Sequence, residues 1–89
     1  DLKEGTLAYR RINEMAMQVL ERDGLLVSCS CSQLFPREAL EQTLLQASRH
    51  LDRNLVILEQ GRQGPDHPVP PAIPETDYLK ALFARVLPV

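Results

Sequence analysis

Two cysteines stand two residues apart in the stretch Gly24-Leu25-Leu26-Val27-Ser28-Cys29-Ser30-Cys31-Ser32, and they are the only two in the chain. The apolar run before them has strand character. Side chains alternate along a strand, so Cys29 and Cys31 point to the same face. Their positions along it differ: Cys29 is still inside the strand and is expected to pack, whereas Cys31 stands at or past its end. In open α/β sheets, ligands bind beyond the carboxyl ends of the strands. A thiol at that exit, just before a helix amino terminus, has solvent access and a field favouring thiolate. That makes Cys31 the candidate nucleophile. The competing reading is that both thiols are small buried hydrophobes, as most free cysteines are.

Other chemistry is harder to build from these residues. A Cys-x-Cys pair supplies two ligands where a structural zinc takes four, and the two histidines stand apart, His50 in a helical stretch and His67 in a loop. A bridge between Cys29 and Cys31 would close a strained ring outside normal disulfide geometry. His67 lies in Gly64-Pro65-Asp66-His67-Pro68. There Asp66 could orient an imidazole, or simply cap a turn, and the turn is the simpler reading. His50 reads as a surface or half-buried residue near a helix end. No glycine-rich phosphate loop, paired-carboxylate constellation or Ser-His-Asp order is visible.

The chain has 89 residues, room for one small domain with a marginal core. Its net charge of −2 and scattered basic residues argue against a self-sufficient nucleic-acid platform. Free thiols fit a reducing, cytoplasmic setting. The longest apolar runs, Gly24 to Val27 and Leu55 to Leu58, are far too short to span a bilayer, and no signal peptide is visible. The chain starts at Asp1 in helix-like sequence, which suggests a piece of something longer.

The elements that must position the thiols follow from apolar spacing. Asp1 to Asp23 reads as a helix whose apolar face holds Ile12, Met15, Ala16, Val19 and Leu20. Gly24 suits a left-handed position past its last turn. Gly24 to Cys31 reads as a strand. Leu25, Leu26 and Val27 in a row, without polar alternation, suggest cover on both faces, the pattern of a parallel sheet. Pro36 to Arg53 reads as a second helix, with Pro36 at its first position. Its buried stripe is Leu40, Leu44, Ala47, Ser48 and Leu51. Asn54 to Gln60 reads as a second strand. Gly61 to Asp77 carries five prolines, Pro65, Pro68, Pro70, Pro71 and Pro74, and reads as a long loop. Tyr78 to Leu87 reads as a third strand, although its spacing also allows a helix. Helix, strand, helix, strand, loop, strand is an α/β order.

Four stretches together resemble one family. They are Tyr9-Arg10-Arg11-Ile12-Asn13, the Ser28-Cys29-Ser30-Cys31-Ser32 stretch, Gly64-Pro65-Asp66-His67-Pro68-Val69, and Pro74-Glu75-Thr76-Asp77-Tyr78-Leu79-Lys80. Their order and spacing are similar to the carboxyl-terminal part of the bacterial large-subunit ribosomal RNA (cytosine-5)-methyltransferases, enzymes with PUA and Rossmann-like domains that use S-adenosylmethionine. The resemblance covers nearly the whole chain. It implies that residues 1–89 are the carboxyl-terminal part of a class I methyltransferase catalytic domain, with its last three strands ordered five, seven, six. Strand seven, here Tyr78 to Leu87, would run antiparallel between its neighbours.

The resemblance also implies a chemistry. A cysteine thiolate adds to C6 of a cytosine, C5 becomes nucleophilic and takes a methyl group, and loss of the C5 proton expels the thiol. The family's catalytic cysteine matches Cys31, and Asp66 and His67 become candidates for holding the substrate. The residues that hold S-adenosylmethionine would lie before Asp1. The piece alone is therefore expected to be inactive, and, lacking the strand that normally neighbours strand five, to self-associate as a homodimer. The implied partner is ribosomal RNA, with no membrane. Two other readings stand beside this one: a non-catalytic α/β interaction or dimerisation module, and a redox switch on Cys29 and Cys31.

Overall fold

A computed structural model describes residues 2–32, 34–64, 66, 68–73 and 78–88. The described chain runs α1 (Leu2–Val19), β1 (Leu25–Ser30), α2 (Arg37–His50), β2 (Arg53–Arg62) and β3 (Lys80–Pro88). The strands form one sheet in the order β1-β3-β2, with β3 antiparallel to both neighbours. The α/β class, the central position of the last strand and its reversed direction are therefore as the sequence implies.

Both helices cover one face of the sheet. The core joins Met17 of α1, Leu40, Leu44 and Ala47 of α2, Leu26 of β1 and Leu82 and Val86 of β3, closed by Phe35 from the β1–α2 connection. The stripe expected on α2 holds: Leu40, Leu44, Ala47 and Ser48 are buried and Leu51 is half-buried. The buried hydroxyls of Thr43 and Ser48 donate to the carbonyls of Ala39 and Leu45 in their own helix, at 2.8 Å each, so their burial leaves no donor unsatisfied.

Several details differ from the sequence reading. On α1 the packed stripe is Tyr9, Asn13, Ala16, Met17 and Leu20. Ile12, Met15 and Val19 point away and stay 64%, 65% and 83% exposed. The helix has two apolar stripes, roughly a quarter turn apart at 3.6 residues per turn, and spacing alone merged them. β1 is not covered on both faces: burial alternates along it, and Leu25 and Val27 remain 55% and 53% exposed. Cys29 shares that open face and does not pack. The cause is that α1 and α2 share one side of the sheet, so the outward residues of β1 meet no second layer within the described chain.

Junctions shift too. Asp23, not Gly24, takes the left-handed conformation (φ 61°), and Asp52 does the same before β2 (φ 54°). Gly24 is needed for closeness instead: a Cβ there would stand 2.9 Å from the Glu21 carbonyl oxygen. Pro36 is the N-cap of α2 rather than its first helical residue. β2 continues through Gly61 and Arg62, which sequence placed in the proline loop. A bulge between Ile57 and Glu59 resets its register, and Gly61 lies against Ala81 and Phe83, each 3.3 Å from where a Cβ would be. The proline segment thus starts after Arg62, and β3 begins at Lys80, two residues later than expected.

Glu14 bridges the two helices on the surface. Its Oε1 accepts from Arg10 Nε at 2.9 Å and lies 2.9 Å from His50 Nδ1. The hydrogen bond with His50, and then that from Arg10, holds its carboxyl below the ordinary 4.5. A lowered carboxyl contributes stability that is present above its unfolded value and lost as pH falls through the folded one. Glu14→Gln is thus expected to lower thermal stability slightly above about pH 4.5 and to make progressively less difference as pH falls below it, which flattens the acid loss recorded by pH-dependent melting. Leu44→Ala should cost about 2–5 kcal/mol in urea unfolding. Ile12→Ser, on the open stripe, should stay within about 0.5 kcal/mol.

Candidate active site

The exit of β1 is built by ties on both sides of Cys31. Ser30, before it, is buried and closes β1, and its Oγ lies 2.8 Å from the Tyr9 hydroxyl of α1. Ser32, after it, is fixed through both backbone groups. Its N–H donates to Ser30 Oγ at 3.3 Å. Its carbonyl accepts from Lys80 Nζ at 2.6 Å and from the Phe35 N–H at 3.2 Å, using both acceptor positions. The Phe35 ring then stacks on Tyr9, with centroids 4.5 Å apart and planes 11° from parallel. The contacts close on themselves: Tyr9 to Ser30, Ser30 to Ser32, Ser32 to Phe35, Phe35 to Tyr9.

Cys31 itself is exposed at the centre of this frame, past the last residue of β1. The expected distinction between the thiols therefore survives in altered form. Both are open to solvent, but Cys29 lies on the flat of the sheet beside Leu25 and Val27, whereas Cys31 lies at the exit. An exposed thiol held between anchored neighbours can act as a nucleophile on something brought to it.

The proline segment leaves from the same end of the sheet. Arg62 pairs with Lys80, and Lys80 pairs with Ser30, so the end of β2 and the start of β3 flank the exit. Gln63 Oε1 accepts from the Leu79 N–H at 3.3 Å and ties the two ends of the segment together. Asp66 is in an exposed turn two residues past Gly64. His67 lies outside the described residues. His50 is exposed at the last position of α2 and is engaged with Glu14.

Sequence reading missed Lys80 and Tyr9 as parts of this site. Both belong to the stretches quoted for the family resemblance, but neither carried a role. The available signal for Lys80 was a lone cation in the otherwise apolar Leu79-Lys80-Ala81-Leu82.

Among the described residues, the glycines form no cradle for a nucleoside cofactor. Gly24 and Gly61 are closed against protein atoms, Gly64 lies against the Asp66 carboxylate, and Gly5 is within α1. Clefts of about 330 Å³ near Arg53 and Pro88 and about 540 Å³ beside Leu7 and Gln46 are lined by neither Cys31 nor Asp66. Among the described residues, no three His, Cys, Asp or Glu side chains gather as a metal would require, and no helix is long and apolar enough to cross a membrane.

Known proteins give this geometry a context. The chain is similar to ribosomal RNA large subunit methyltransferase I. It is 40% identical to that protein of Serratia proteamaculans over 79 residues, which covers 89% of this chain and 20% of the relative. To the protein of the same name from Pseudoalteromonas atlantica it is 36% identical over 86 residues, 97% of this chain and 22% of the relative. It thus spans about a fifth of the length of these curated relatives. No protein-family model matches. Among solved structures, SMU.776, provisionally assigned as a methyltransferase and solved complexed with SAH, superposes with a TM-score of 0.79 over 90% of this chain and 20% of its own, at 12% identity. That likeness is one of fold, and it is the fold of a methyltransferase sheet.

With both thiols exposed, Cys29 and Cys31 should each be alkylated by iodoacetamide under native conditions, and mass spectrometry should find two adducts without denaturant. A Cys29 protected until unfolding in the 89-residue chain diluted to monomer would contradict the open outer face.

Proposed function

We propose that these residues are part of a ribosomal RNA (cytosine-5)-methyltransferase dependent on S-adenosylmethionine, and that Cys31 is its nucleophile. The observation that carries the reading is the exposed Cys31 thiol, anchored on both sides at a strand exit, in a chain similar to ribosomal RNA large subunit methyltransferase I. The Cys31 sulfur would form a bond to C6 of the target cytosine, which makes C5 nucleophilic. C5 would then take the methyl group supplied by S-adenosylmethionine, and removal of the C5 proton by a base would restore the ring double bond, break the C–S bond and release the thiolate. The base has to be out of its stack to reach an exposed thiol at the sheet end. Asp66, and His67 beside it, would contact the substrate from the proline segment.

Residues 1–89 would form the carboxyl-terminal part of the catalytic domain. The methyl donor would be held by other parts of the polypeptide, and the whole would work in the cytoplasm on ribosomal RNA. Taken alone, the 89 residues would be inactive. They would also self-associate, because the outer edge of β1, the outward face of the sheet and the Ile12, Met15, Val19 stripe all stand open.

RNA carrying 5-fluorocytosine traps an enzyme bound through C6, because the C5 fluorine cannot leave as a proton. The full-length polypeptide is expected to form a covalent complex that survives denaturing electrophoresis, and Cys31→Ser is expected to form none. Methylation at normal rate by Cys31→Ser would sink the assignment. The 89-residue chain titrated with S-adenosylmethionine should give no saturable binding, and sedimentation should find it as a dimer or larger species that dissociates on dilution.

A further inference from the structure

We infer that Lys80 is a positioning residue for Cys31, acting through the Ser32 carbonyl. The inference rests on the reading of Cys31 as the nucleophile. Lys80 is only 6% exposed, and it begins the inward row of β3 whose other members are Leu82, Ala84 and Val86. Burying an ammonium costs free energy unless it is paired, and a leucine would extend that row without the cost. The sequence keeps a lysine whose Nζ donates to the Ser32 carbonyl oxygen at 2.6 Å.

The register explains why lysine fits. Lys80 pairs with Ser30, on the same face of the sheet, so its side chain starts beside the last residue of β1. Only a long stem ending in a donor crosses from there to the carbonyl past Cys31. The Phe35 N–H already donates to that oxygen at 3.2 Å, and the Ser32 N–H is held by Ser30 Oγ at 3.3 Å. Lys80 therefore adds a charge-assisted bond to a frame already closed by neutral ones. The frame fixes the peptide groups next to Cys31 while the thiol stays free. Lys80 acts on the backbone next to Cys31 through the Ser32 carbonyl. It sets where the thiol is when the base arrives, and displacement of a reacting group by about 1 Å can cost on the order of 10²-fold in rate.

The test uses the full-length polypeptide carrying these residues, unsubstituted and as Lys80→Met and Lys80→Arg. Amide exchange over Ser32 to Phe35 and steady-state methyl transfer to RNA are measured on each. Lys80→Met should speed exchange in that segment about tenfold and lower kcat about 10- to 100-fold, with KM for RNA within about twofold. Lys80→Arg, still able to donate to Ser32, should recover most of both. If the methionine variant does not fold, Lys80→Gln cuts the charge at similar bulk and serves instead. Unchanged exchange overturns the proposal alone. So does a fall in kcat matched by a rise in KM, or one that arginine does not recover, since either marks general damage. Full activity of Cys31→Ser overturns the proposal together with the nucleophile reading, which separates the two failures.

Discussion

The sheet closes through β3. β1 and β2 both hydrogen-bond to it, antiparallel, and among the described residues they never bond to each other. The strand that joins them is the last of the chain and arrives only after the proline segment. Until it is in place, β1 and β2 have no ladder and their backbone groups stay with water. The closure entropy of that segment is paid at one step, and both ladders form at that step. The same constraint builds the site. Cys31 follows β1, the proline segment follows β2, and Lys80 opens β3, so one pairing event brings all three to one end of the sheet.

That end differs in character from the other. Along the covered face, Leu26 and Val86 are apolar at the start of β1, where α1 and α2 thicken the core. Toward the exit, the inward residues become Ser28, Ser30 and Lys80, all buried. A purely structural sheet would continue the apolar row, because every buried polar group needs a partner and returns little net stability. Here Ser30 Oγ is met by the Tyr9 hydroxyl and the Ser32 N–H, and Lys80 Nζ donates to the Ser32 carbonyl. The apolar half secures the fold. The polar half gives up some of that stability for a defined backbone path around a solvent-exposed thiol.

Much of this was legible in sequence, and the misses have common physical causes. The first four elements and the α2 stripe could be read because one periodicity dominated each stretch, whereas the last strand and the strand order followed only from the family resemblance. α1 misled because it carries two apolar stripes and periodicity cannot say which one meets the core. β1 misled because three apolar residues in a row mean two hydrophobic faces, whether or not a second layer is at hand to cover both. Gly24 looked like a left-handed cap, but aspartate tolerates that region well enough for Asp23 to take it, which left Gly24 to permit close packing. Cys31 could be singled out by its place at a strand end. The frame around it could not, because it joins residues from positions 9 to 80 that only the fold brings together.

The open apolar surfaces carry the last argument. Ile12, Met15 and Val19 on α1, and Leu25 and Val27 on β1, are too many and too ordered to be scattered surface residues, which are normal singly. Among the described residues nothing covers them. The α1 stripe points away from a helix face already packed, and the outward face of β1 lies behind a sheet whose other side holds both helices. Covering them takes two further layers, one beside α1 and one on the opposite face of the sheet. Among the described residues, β1 has, in addition, an outer edge with no strand on it. A single partner helix would leave most of this open. Both sequence errors have one cause: apolar spacing marks a surface as apolar and does not say whether this chain covers it.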